Sequence, residues 1–155
     1  MKLCFTVDGA PVGWQRTGFR PAGGMQTRFF TPKAVKEYQD KIWLAARLAG
    51  FRGDPWTGPV AVRVVIYLAD ARRRDVDNYA KQVLDALNSK PARPARGKSP
   101  ARPPVPRLFK DDSQVVDLHL LKRIDRAQPR LEVELEQVPL DDPKQVELAL
   151  GGKRA

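Results

Sequence analysis

The chain has 155 residues, enough for one domain with its own hydrophobic core, and 42% of them are apolar, an ordinary share for a globular protein. Its single cysteine excludes an intrachain disulfide, and one cysteine with one histidine argues against a structural zinc site. The 28 lysines and arginines against 18 acids give a net charge of +10, which favours a polyanionic partner, nucleic acid foremost.

In chain order, "LCFTV" (3–7) alternates and predicts a strand with Cys4 buried in it. The apolar run of "MKLCFTVDG" is too short for a secretory signal, and no run approaches 18 apolar residues, so a cytoplasmic protein without a membrane span is expected. "DGAPVG" is a turn. From Gly13 to Phe30 an ordered loop or hairpin carries Arg16, Arg20 and Arg28 among aromatics and glycines. It is either a solvated connection or an arm that contacts phosphates.

"TPKAVKEYQDKIWLAARLA" predicts a helix capped by Thr31, with Pro32 at its first position. Val35, Tyr38, Ile42, Ala45 and Leu48 or Ala49 form its apolar stripe, and it should end near Gly50. Trp43 and Trp56 read as packing residues. "VAVRVVIYL" (60–68) is a strand, apolar enough on both sides to be central and covered on both faces.

A second helix spans Asn78 to Asn88, with Tyr79, Val83, Leu84 and Leu87 facing the core. Composition then shifts to Pro, Ala and basic residues. Between Ser89 and Lys110 stand seven Lys or Arg and no acid, so an exposed segment at about 89–107, disordered or polyproline-like, is expected. "QVVDLHLLKRI" and "RLEVELEQV" predict two adjacent strands, with Glu132, Glu134 and Glu136 on a solvated face opposite Lys122. His119 and Asp117 read as structural. "VELAL" is a short further element or tail. The expectation is one α+β domain over 1–150, a mixed sheet with packed helices, and a tail at 151–155.

The chemistry concentrates in "RRRDVDNYAKQVLDAL" (72–87) and "FKDDSQVVD" (109–117). If the strand runs on through Asp75 and Asp77, both carboxylates point one way; if Asp77 caps the helix, its carboxylate still lies at the helix N-terminus. Should the strands before and after run antiparallel, Asp111 and Asp112 meet that pair at one edge. Clustered carboxylates repel unless a cation neutralises them, and Mg²⁺ suits such oxygens, with Mn²⁺ as an alternative. Beside a phosphodiester the metal would activate water, with Arg72, Arg73 and Arg74 offsetting repulsion from the backbone. Lys81, one turn beyond Asp77, could stabilise transition-state charge or simply pair with Asp77 or Asp85. The plainer reading of the Asp pair is a helix cap and a solvated turn.

"RRRDVDNYAKQVLDALN" with "DDSQVVD", together with "PVGWQR…TPKAVKEYQDKIWLAAR", resembles the RusA family of Holliday junction resolvases of bacteria and their phages. The resemblance runs from about residue 3 to 137, outside the Pro-rich insert. It implies a Mg²⁺-dependent endonuclease that acts as a homodimer and makes paired symmetric nicks in four-way DNA junctions. It also implies metal ligands at Asp75, Asp77 and Asp112, an essential lysine at Lys81, and supporting roles for Asn78 and Asp111. The chain departs from compact relatives by about a dozen extra residues from roughly Pro91 to Pro106, which either clamp DNA or are a tolerated insertion. The rival functions are a nuclease of looser specificity, cutting flaps, forks or duplex, and a non-catalytic architectural DNA-binding protein.

Overall fold

The computed structural model describes residues 1–15, 18–21, 27–95, 97 and 100–139; over 18–21 and 27–30 it describes the backbone alone. "VELAL" and the 151–155 tail lie outside these residues. The elements are β1 (Lys2–Asp8), β2 (Gly18–Pro21), β3 (Thr27–Phe30), α1 (Lys33–Leu48), β4 (Val60–Leu68), α2 (Val76–Leu87), β5 (Val115–Ile124) and β6 (Arg130–Gln137). β2 and β3 pair antiparallel, the second of the two readings, ordered loop or hairpin, left open for the glycine- and aromatic-rich stretch.

The other strands form one mixed sheet in the order β1-β6-β4-β5, with β4 and β5 parallel and the other pairs antiparallel. This is the expected α+β architecture. Period-two alternation builds its inner face: Leu3, Phe5 and Val7 of β1, Val60, Val62, Val64, Ile66 and Leu68 of β4, and Leu131, Val133 and Leu135 of β6 are buried. α1 and α2 close that face with Val35, Tyr38, Ile42, Ala46, Tyr79, Val83, Ala86 and Leu87. Each fully buried aliphatic side chain contributes about 1.5–3 kcal/mol.

Several expectations are corrected. Cys4 is exposed: its neighbours Leu3 and Phe5 take the inward phase of the pleat, which leaves the thiol on the opposite face. β4 is central but not covered twice, because its outer face carries exposed Arg63, set opposite Glu134, and Tyr67, whose ring lies 3.7 Å beneath the Arg130 guanidinium. α1 begins one residue later than expected, with Pro32 at the cap position and no side-chain cap. Its stripe ends on Ala46 rather than Ala45, and Leu48 is exposed. His119 is exposed beside Asp117, 3.2 Å away, rather than packed.

The two C-terminal strands are consecutive but not adjacent, since β4 lies between them. The β6 glutamates therefore face β1 and β4: Lys2 pairs with Glu134 at 2.6 Å, and Lys122 points elsewhere. A parallel β4–β5 pair needs a crossover, and α2 supplies it by running back along the sheet. Among the described residues no helix is long and apolar enough to cross a membrane.

The Pro-rich segment carries backbone pairing that its composition does not announce. Lys90 and Val105 exchange two N–H···O bonds, as do Arg93 and Arg102, which makes an antiparallel ribbon. Its base is anchored by the fully buried Leu108 and Phe109.

Candidate active site

β4 ends at Leu68, and the turn beyond it is organised by Asp70. This carboxylate accepts the Arg72 N–H at 3.0 Å and both guanidinium nitrogens of Arg74, at 2.5 and 3.1 Å. The Arg74 bonds, followed by that of Arg72, hold the Asp70 carboxyl down at about 2. The Lys122 ammonium donates to the Arg74 carbonyl at 2.9 Å and ties this turn to the end of β5. Arg74 is thereby committed to the scaffold, while Arg72 and Arg73 are exposed.

From that turn the chain enters α2. Asp75 holds the N-cap position with extended backbone (φ −82°, ψ 128°), yet its side chain makes no cap bond. Asp77 lies one residue inside the helix. Among the described residues neither carboxylate has an ion-pair partner, and both are exposed at the helix N-terminus, where the dipole favours negative charge. The arrangement differs from both geometries expected from spacing, since α2 starts at Val76, earlier than Asn78, and so takes in Asp77.

Lys81 follows one turn later. Its ammonium stands 3.4 Å from Asp85 rather than beside Asp77, and 5.3 Å from the centre of the Trp14 ring. Trp14 is held there by its own N–H, which donates to the Asn78 carbonyl at 2.9 Å. Gly13 packs beside this turn, where an added Cβ would lie in ordinary contact with the Asn78 Cβ at 3.5 Å. An open cavity of about 480 Å³ results, lined by Trp14, Gln15, Arg73, Arg74, Asp75 and Asn78.

Asp111 and Asp112 are not part of it. Asp111 caps a single 3₁₀ turn over Asp112–Gln114, accepting the Ser113 N–H at 2.9 Å, and bonding to Ser113 lowers its carboxyl below the usual range. Gln114 pins that turn to the other end of the sheet by donating to the Trp56 and Gly58 carbonyls at 3.0 and 2.8 Å. Asp112 is exposed beside it. Val115 pairs with Val60, whereas Lys122, which holds Arg74, pairs with Ile66. The six residue steps of β4 from Val60 to Ile66 span roughly 20 Å. The convergence expected for antiparallel strands does not occur within one chain, because β4 and β5 are parallel.

Among the described residues no three His, Cys, Asp or Glu side chains gather closely enough to hold a metal by themselves. Asp75 and Asp77 alone still suit Mg²⁺, which binds through one or two carboxylates and completes its shell with water and phosphate oxygens. Of the arginines expected on the N-terminal arm, Arg20 and Arg28 face each other in the β2–β3 register, and Arg16 lies outside the described residues.

Two contributors were not singled out from the sequence, Asp70 and Trp14. For Asp70 the signal was present: an Asp two residues before a turn N–H and four before an arginine. Nothing local marks Trp14, which meets Lys81 only through tertiary packing.

A family model described as Endodeoxyribonuclease RusA matches residues 8–92, more than half of the chain. An uncharacterized protein of Bacillus subtilis (strain 168), YqaN, is 29% identical over 157 residues, covering 86% of this chain and 95% of its own. A crossover junction endodeoxyribonuclease RusA of Aquifex aeolicus (strain VF5) is 24% identical over 118 residues, covering 76% of this chain and 77% of its own. The matched family region contains Asp75, Asp77, Asn78 and Lys81 and stops short of Asp111 and Asp112.

Proposed function

The chain belongs to the RusA family of endodeoxyribonucleases, and from that premise we propose that it resolves four-way DNA junctions by paired symmetric nicks that depend on Mg²⁺. The observation that carries this reading is the state of Asp75 and Asp77. Two exposed carboxylates at a helix N-terminus, without ion-pair partners among the described residues, sit among exposed arginines in a chain of net charge +10. Carboxylates kept for structure would be engaged, as Asp70 and Asp111 are.

The residues divide the work. Arg72 and Arg73 bind phosphates flanking the scissile bond, and Arg74, fixed on Asp70, keeps the turn rigid. Asp75 and Asp77 would hold the divalent ion, which when bound would supply Lewis-acid charge and make a water more acidic. Lys81, steadied between Asp85 and the Trp14 ring, donates to the charge building on the phosphoryl oxygens or the leaving oxygen. Asn78 supports the first turn of α2. Hydrolysis in this sense leaves a 5′-phosphate and a 3′-hydroxyl.

The test is cleavage of a labelled movable four-way junction beside a linear duplex of equal length, with Mg²⁺ or EDTA. Wild type should nick the junction symmetrically and spare the duplex, and Asp77→Asn should lower the rate by at least about 100-fold while still binding. Equal cutting of both DNAs would discard junction specificity. Tight binding without cutting in any divalent metal would leave an architectural DNA-binding protein.

A further inference from the structure

The chain has three tryptophans, and the fold uses them differently. Trp56 lies in the core at 5% exposure, and Trp43 packs against that core, edge-on to Phe51 at 5.7 Å. Trp14 does neither. It is half-buried, stacks on no other aromatic ring among the described residues, and lines the open cavity of about 480 Å³ beside Arg73, Arg74 and Asp75. An indole left among charges is apolar area that the fold itself does not use.

Its place is nonetheless fixed. The Trp14 N–H donates to the Asn78 carbonyl at 2.9 Å, Gly13 packs beside Asn78 and Tyr79, and the Lys81 ammonium stands 5.3 Å from the ring centre. A ring held this way loses little freedom when a flat partner settles on it. The groups of DNA with flat apolar faces are the bases, and stacking on an aromatic side chain tolerates any of them. In continuous duplex both faces of every base are covered by neighbours. At a branch point the stack of an arm is interrupted, and its last base pair can offer a face.

We propose that Trp14 senses the branch: its indole stacks on the base that bounds the branch point next to the scissile phosphate. The proposal rests on the nuclease reading above and adds to it a group that tells a junction from plain duplex. Arg72 and Arg73 address phosphates, which every DNA carries and which hold no such information. A base seated on the Trp14 ring sets the register between branch and cut, because the ring and Asp75 line the same cavity. In unbroken duplex the ring finds no free face, and this contact is lost.

The test follows protein emission as DNA is added in EDTA, so that nothing is cut. The ligands are a four-way junction and the pair of duplexes that carry the same arm ends. The junction should quench wild-type emission, as stacking of an indole on a base does, and the duplexes should not. Trp14→Phe keeps a ring without the reporting indole, so it should hold most of the junction affinity and lose the quenching. Trp14→Leu keeps apolar bulk without a stacking face. It should bind the junction about 5- to 150-fold more weakly and the duplexes as wild type does. A ring that merely positioned Lys81 would alter cutting and leave the ratio of junction to duplex affinity unchanged.

Equal weakening toward both DNAs, full junction affinity in Trp14→Leu, or quenching by the duplexes as strong as by the junction overturns the proposal. Should Trp14→Leu fail to fold, the emission of wild type and Trp14→Phe decides alone. None of these readouts needs catalysis. A chain that shows this signature yet cuts nothing in Mg²⁺ sinks the nuclease reading and leaves the stacking in place.

Discussion

Asp70 shows how a single carboxylate can organise a site without belonging to it. It fixes Arg74 and the Arg72 backbone, and its folded value near 2 lies below its ordinary 3.8. A depressed carboxylate contributes stability that is complete above 3.8 and disappears as pH falls from there through about 2. Asp70→Asn should therefore flatten the acid limb of the stability curve in that window relative to wild type. The urea midpoint followed between pH 4 and pH 2 checks it; parallel limbs would show that the pair adds nothing to stability. The same variant should loosen the entry to α2, and with it the placing of Asp75.

At the scale of elements, α2 carries the site on one face and the core on the other, and Gln82 joins the two helices. It is fully buried, donates to the Val35 carbonyl at 3.0 Å and accepts from Gln39 at 3.2 Å. Gln82→Ala removes both bonds and leaves a cavity, an expected loss of about 3 kcal/mol, whereas Gln82→Met keeps the volume and should lose only about 1 kcal/mol. Denaturant midpoints of the two variants give the comparison, and equal losses would mean that hydrogen bonding rather than packing sets the cost.

The Pro-rich ribbon is the second element with a separable role. Replacing residues 92–103 with two glycines keeps the Leu108–Phe109 anchor but deletes Arg93, Arg96, Lys98 and Arg102. Melting should be nearly unchanged. If the ribbon clamps DNA, the slope of log affinity against log salt falls by up to about 3–4 units. An unchanged slope would make it a tolerated insertion.

At the scale of the molecule, one topological fact governs the rest: β5 lies parallel to β4, so the two acidic motifs occupy opposite ends of one chain.

The sequence by itself determined what is local. Leu3, Phe5 and Val7, or Val60 to Leu68, declare strands by their period of two, and Val35, Tyr38 and Ile42 declare a helix by theirs. The motif around Asp75, Asp77 and Lys81 was legible because its residues lie within two turns of one helix, where spacing along the chain is spacing in space. The tertiary structure alone decided what depends on strand order and direction. Alternation says which face a residue takes but not which strand lies beside it or which way that strand runs. For that reason the facing of Glu132, Glu134 and Glu136 with Lys122, and the meeting of Asp111 and Asp112 with Asp75 and Asp77, were both expected and both absent. The outward place of Cys4 is a lesser case, fixed by which phase of the pleat the helices cover.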